Sequence, residues 1–145
     1  MITPFQNDFS IDYEALDVMI DHMINNGVEY IVSMGTTGEA PTISKEEKKN
    51  IVAHTLAKVA GRVPVVVGIG GNNTAETVHE LKTFPLDKAV AVLSVSPYYS
   101  KPSQEGLFQH YKAVAEASPR PVILYNVPGR TGRNLTAETT IRLAK

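Results

Sequence analysis

Cysteine is absent from the 145 residues, which excludes disulfides, thiolate nucleophiles and Cys-ligated zinc or iron-sulfur sites. A reducing cytoplasm is the expected compartment. Charge of one sign is missing too: 14 Lys and Arg stand against 15 Asp and Glu, a net charge of -1. No basic footprint for nucleic acid or anionic lipid follows from that balance. Although 43% of the residues are hydrophobic, no apolar run approaches the roughly 20 residues that a bilayer-spanning helix needs. The opening MITPFQNDFS carries neither the basic nor the apolar region of a secretory signal. A soluble protein without nucleic-acid or membrane partners is expected.

Five short apolar runs are present instead: Met1 to Pro4, Tyr30 to Met34, Val63 to Val67, Ala89 to Val95 and Val122 to Tyr125. They are continuous and rich in Val and Ile, the pattern of parallel strands buried on both faces. Helical periodicity fills the intervals. Leu16, Met19, Ile20, Met23 and Ile24 form a stripe that Asp12 can cap and Gly27 can stop. Ser44 and Glu47 have capping-box spacing ahead of Ile51, Val52, Leu56 and Val59, with Gly61 to close the helix. Asn73 and Glu76 open a third helix, Leu107, Tyr111 and Val114 mark a fourth, and Thr136 starts a fifth. Five βα units suit a doubly wound sheet or part of a (β/α)8 barrel. Both ends of the chain are expected to be cuts in a longer one.

Polar and glycine-rich segments follow the strands: TPF, GTTGE (35 to 39), GIGGNN (68 to 73), SPYYSKP (96 to 102) and NVPGRTGR (126 to 133). The carboxyl ends of parallel strands are where such folds bind ligands. GTTGE offers hydroxyls and backbone N–H groups that can hold a carboxylate, or it is a turn and nothing more. GIGGNN lacks the third glycine of a dinucleotide loop and follows the third strand, so Asn72 and Asn73 read as helix caps. Tyr98 and Tyr99 lie on a proline-stiffened loop, and Tyr125 closes a strand. A tyrosine of ordinary pKa near 10 is a poor base alone but can pass protons along a relay. Arg130, in a Pro-Gly turn, can fork to a carboxylate or stay solvated. His22, His54, His79 and His110 fall on four different helices without metal-ligand spacing.

GTTGE, PYY-x-KP-x-QEGL-x-QHY and YNVPGRTG, in that order, are similar to the motifs of dihydrodipicolinate synthase, also called 4-hydroxy-tetrahydrodipicolinate synthase. That family belongs to the pyruvate-dependent class I aldolases, with N-acetylneuraminate lyase. The resemblance covers essentially all 145 residues and implies a (β/α)8 (TIM) barrel of which residues 1–145 are about the first five βα units, the N-terminal part of one domain. It implies a homotetramer that joins pyruvate to aspartate 4-semialdehyde through a lysine imine, in lysine and diaminopimelate biosynthesis, with no metal or organic cofactor. Thr37, Tyr99 and Tyr125 match the family's proton relay, Tyr99 reaching a neighbouring subunit. Thr36 and Thr37 match the pyruvate-carboxylate loop, and Arg130 matches the residue that receives the aldehyde's carboxylate and separates the synthase from the sialic-acid lyases. Asn72, Glu76 and Tyr98 resemble contacts of a lysine effector site, although two positions often held by histidine in lysine-inhibited members are Lys45 and Lys48 here.

The imine-forming lysine of the family lies on a sixth strand, beyond residue 145. None of the nine lysines present falls on a predicted strand, where desolvation could free the amine. The chain by itself is therefore expected to be inactive. Competing expectations are a non-catalytic carboxylate-binding or assembly fragment, another pyruvate-dependent aldolase, and a flavodoxin-like nucleotide binder, for which TPFQND supplies no phosphate loop.

Overall fold

Leu16 and Ile20, at the centre of the first apolar stripe, are fully buried on helix α1 (Tyr13–Asn25) in a computed structural model that describes residues 1–145. Two units divide the chain, Met1–Gly68 with Phe84–Val90 and Ile69–Thr83 with Ala91–Lys145. No helix is long and apolar enough to cross a membrane.

In the first unit Asp12 caps α1 by accepting from the Ala15 N–H at 2.9 Å. The helix ends where Gly27 takes φ +85°, the left-handed turn that costs glycine little. Helix α2 (Lys45–Val59) starts on the expected capping box, with Ser44 and Glu47 bonded reciprocally. Ile51, Val52, Leu56 and Val59 are buried, each such side chain contributing about 1.5–3 kcal/mol. Half-exposed polar contacts join the same two helices, the Lys58–Asp21 ion pair at 2.8 Å and a hydrogen bond between His54 and Asp17 at 2.6 Å, and Arg62, just past α2, pairs with Asp21 at 2.8 Å. Exposed pairs of this kind are worth ~1 kcal/mol or less, so apolar packing holds the helix pair. Strand β1 (Ile31–Ser33) runs parallel to β2 (Val65–Gly68), with Ile31 opposite Val65 and Ser33 opposite Val67. Pro64 explains why β2 starts later than its apolar run: it accepts from the Ile31 N–H at 3.0 Å but has no N–H to return.

The expected first strand, Met1 to Pro4, does not form. Pro4 has no N–H to give a ladder, which shortens any strand here. Side-chain and terminal contacts hold the segment instead. The Met1 ammonium donates to Val32 O at 2.8 Å, the Thr3 hydroxyl to Gly38 O at 2.7 Å, and Phe5 bridges Ile11.

The second unit repeats the logic. Strand β3 (Ala91–Val95) runs parallel to β4 (Val122–Tyr125), with Val92 opposite Val122 and Val95 opposite Tyr125. Helix α3 (Thr74–Thr83) packs on α4 (Gln104–Ala117), and α4 on a C-terminal helix, Ala137–Leu143, which is α6 in chain order. Leu107, Tyr111 and Leu135 form the core, flanked by Leu124 and Leu143. NVPGRTGR, read as a turn, contains one extra helical turn, α5 (Pro128–Thr131), because Pro128 suits a first helical position and Gly132 a left-handed stop. β4 also departs from expectation: its run suggested burial on both faces, yet Ile123 is 44% exposed.

Candidate functional site

The segments after the strands hold the candidate residues. In the first unit the backbone leaves β1 through Met34, at φ +58°, and winds into a 3-10 turn over Thr36–Gly38. Gly38 N–H closes on Gly35 O at 2.9 Å and Glu39 N–H on Thr36 O at 3.2 Å, while Thr3 ties down the Gly38 carbonyl. Thr36 and Thr37 are exposed on this anchored turn. A cavity of about 370 Å³ in the same unit lies at the other end of β2, lined by Leu56, Val59, Val63, Val65 and Lys88. Its lining is mostly apolar, with none of the motif residues.

The second unit carries the tyrosines and the arginine. Tyr125 ends β4, half-buried, and its carbonyl accepts from the Ser96 N–H at 3.3 Å. Tyr99, after β3, is 91% exposed and stands at φ +70°, a strained conformation costing about 1–2 kcal/mol for a residue with a side chain. Arg130 is exposed on α5, two residues past the Pro128 that fixes the start of that turn. Asn126 braces the segment, its amide donating to Asn134 Oδ1 at 2.8 Å and its oxygen accepting from the Leu135 N–H at 3.0 Å.

The two asparagines of GIGGNN divide their work, where both were expected to cap. Asn73 caps α3, accepting from the Glu76 N–H at 3.3 Å, whereas Asn72 donates to the Tyr98 carbonyl at 3.2 Å. Asn72 and Tyr98 of the candidate effector set are thus in direct contact, with Glu76 on the first turn of α3. The four histidines do fall on α1, α2, α3 and α4. No group of three or more His, Asp or Glu side chains is arranged to hold a metal ion.

Buried polar groups with no assigned role accompany the strands. Ser33 and Ser94 are fully buried with no partner for their hydroxyls. Tyr111 donates to Ser94 O at 3.1 Å and lies 3.0 Å from Ser96 Oγ, and burial raises its pKa. Serines that interrupt otherwise apolar strands, as in IVS and AVLSVS, are the signal that points to them.

His110 is buried on α4, its Nδ1 2.8 Å from Thr74 Oγ1 and its Nε2 without a partner. Burial lowers its pKa from the ordinary value of 6.5. Above that value both folded and unfolded chains hold it neutral and its contribution is complete. Below it the unfolded chain takes the proton first, so stability falls as pH drops from 6.5 toward the folded pKa. The urea midpoint should fall between pH 7 and pH 5, and less steeply in His110→Leu; equal slopes would remove His110 from the acid response.

The family described as Dihydrodipicolinate synthetase matches residues 1–145. The 4-hydroxy-tetrahydrodipicolinate synthase of Parabacteroides distasonis is 55% identical over 145 residues, which is 100% of this chain and 49% of that protein. Among solved structures, dihydrodipicolinate synthase from Bacillus anthracis superposes with a TM-score of 0.96 at 44% identity, over 100% of this chain and 50% of the other. A chloride-inhibited dihydrodipicolinate synthase from Acinetobacter baumannii, complexed with pyruvate, gives 0.95 at 44% identity, over 100% and 50%. The chain spans about half the length of the relatives it matches. With the motifs at the strand ends and the match running from the first residue to the last, the chain belongs to the dihydrodipicolinate synthetase family and has the fold of the N-terminal half of its (β/α)8 barrel.

Proposed function

We propose that residues 1–145 are the N-terminal part of a single barrel domain in a 4-hydroxy-tetrahydrodipicolinate synthase, a cytoplasmic lyase of lysine and diaminopimelate biosynthesis. It joins pyruvate to aspartate 4-semialdehyde. One observation carries the reading: each motif residue stands at or just after the carboxyl end of its strand, Thr36 and Thr37 after β1, Tyr99 after β3, Tyr125 at the end of β4 and Arg130 on α5. The pyruvate bound to the Acinetobacter baumannii relative supports the first substrate.

In this reading Thr36 and Thr37 receive the pyruvate carboxylate on hydroxyls and turn N–H groups. Thr37, Tyr99 and Tyr125 pass protons as the imine forms and the enamine attacks the aldehyde. Exposure of Tyr99 suits a ring offered to a neighbouring subunit of a homotetramer. The exposed guanidinium of Arg130 receives the carboxylate of the second substrate in a bidentate fork. Imine chemistry requires a lysine amine and no metal or organic cofactor. None of the nine lysines lies on a strand: they sit on α2, α3 and α4, in loops, or after α6. In this reading the nucleophile is the lysine that the family resemblance implies on the sixth strand of the barrel, outside residues 1–145.

Borohydride trapping tests the assignment. With pyruvate, the protein as its gene encodes it should gain a reduced pyruvate adduct on one lysine, whereas a polypeptide of residues 1–145 should gain none. An adduct on any of the nine lysines would overturn the placement of the nucleophile. A complete protein that traps no pyruvate would overturn the synthase reading.

A further inference from the structure

The loop that carries Tyr99 is held in a conformation its own residues do not favour. Tyr99 at φ +70° and Lys101 at φ +48° are both left-handed, and neither is glycine. Such geometry persists only where surrounding structure over-determines it. Two carbonyls bracket the strained stretch. Tyr98 O accepts from Asn72 Nδ2 at 3.2 Å and from the Ser100 N–H at 2.9 Å. Lys101 O accepts from Arg133 Nε at 3.0 Å.

The Arg133 side of this bracket comes from the turn that presents Arg130. Gly132 follows α5 at φ +72°, and the Lys101 side chain lies against it so closely that an added Cβ would sit 2.9 Å from Lys101 Cε and 3.3 Å from Cγ. Lys101 is therefore engaged twice by one turn, its side chain against Gly132 and its carbonyl by Arg133. The turn is itself rigid: Thr131 is buried and its hydroxyl reaches Val127 O at 3.1 Å and Arg133 O at 2.8 Å.

We propose that Arg133 is a positioning residue, whose Nε–H on the Lys101 carbonyl holds the Tyr99 loop in its strained form and ties it to the turn bearing Arg130. The proposal rests on the synthase reading for its consequence in catalysis, and on geometry alone for the latch. Arg133 is exposed, so replacing it leaves the core intact. Its role is carried by a donor at one atom. Glutamine places an N–H-bearing nitrogen on Cδ, as arginine does, without the charge. Lysine keeps the charge but moves the nitrogen one atom farther along the chain.

The test uses the protein as encoded, with Arg133→Ala, Arg133→Gln, Arg133→Lys and, as a control, Arg142→Ala, which removes a guanidinium that pairs with Glu105 on the same unit at 2.9 Å. Hydrogen exchange of a peptide covering residues 97 to 103 should rise about 5-fold in Arg133→Ala, the size expected for losing one exposed hydrogen bond. It should stay near wild type in Arg133→Gln and in the Arg142 control. kcat should follow the same order, about 3- to 10-fold lower for Arg133→Ala with the KM for pyruvate unmoved.

Unchanged exchange in Arg133→Ala would overturn the latch. Rescue by lysine with failure of glutamine would overturn the assignment to the donor and make charge the cause. Raised exchange with unchanged kcat in an active enzyme would overturn the link to catalysis. A wild type without condensation activity would instead remove the synthase reading, and the exchange measurement then decides the latch by itself.

Discussion

Tyr125→Phe, made in the protein as encoded, should lower kcat for the condensation by about 10²- to 10⁴-fold, the range spanned by a lost acid-base group. The substitution deletes one oxygen and leaves the ring. Because Tyr125 sits at the end of β4, in register with Val95, strand pairing fixes its place and the phenyl group keeps the packing. A half-buried hydroxyl at a strand end does little for the fold, so the thermal midpoint should move by no more than roughly 3 °C. Stopped-assay rates with saturating pyruvate and aldehyde, read beside the melting curve, separate the two effects. A loss of kcat below about 5-fold would be too small for a proton-transfer group and would give the hydroxyl a packing role, with the relay passing elsewhere.

The parts of the fold that sequence makes legible are those where one residue type has one physical job. Asp12, Ser44 with Glu47, and Thr136 cap helices as their spacing requires. Gly27 takes the left-handed turn after α1. Where two jobs compete, legibility fails. Met1 to Pro4 has the composition of a strand, but its proline has no N–H to give a ladder. α2 ends two residues before Gly61, just as α1 ends two before Gly27, but Ala60 ahead of that glycine is itself left-handed at φ 50°, which no residue type announces. Pro128 and Gly129 mark a turn, yet the same proline begins a short helix once Gly132 can end it.

Among the candidate residues, Thr36, Thr37, Tyr99 and Arg130 are exposed and chemically distinctive, so a sequence can nominate them, while the contacts that hold their segments have no such mark. Nothing in the spacing of Asn72 and Tyr98, or of Arg133 and Lys101, shows that a side chain of one meets the carbonyl of the other. Backbone carbonyls are present at every residue and carry no sequence signature. Only the loop path, with Tyr99 and Lys101 left-handed, determines which of them is offered. The same holds for Ser94 and Ser96, whose relation to Tyr111 depends on how β3 and α4 pack.

Gly68→Ala should be the most damaging small change in the first unit. Gly68 ends β2, and a Cβ there would sit 2.1 Å from Met34 O, 2.7 Å from Met34 C and 3.2 Å from Gly35 N. These are backbone atoms, so no side chain can swing aside. Met34 is itself buried and left-handed, and just after it the chain turns into the Thr36–Gly38 segment. Relief requires β1 and β2 to separate or the threonine turn to lift. Either route should cost about 3 kcal/mol or more, a fall in the melting midpoint of roughly 6–12 °C at 2–4 °C per kcal/mol. Pyruvate adduct formation should weaken with it, because the moved turn holds Thr36 and Thr37. Gly71→Ala is the matched control: its Cβ would meet only Thr77 Oγ1, at 3.7 Å, so an effect of about 1 kcal/mol or less is expected there. If Gly68→Ala melted within 2 °C of wild type, the approach of Met34 to β2 would have to be softer than this geometry has it. If both alanines were equally harmful, the cause would be the conformational freedom of the GIGG run and not the contact with Met34.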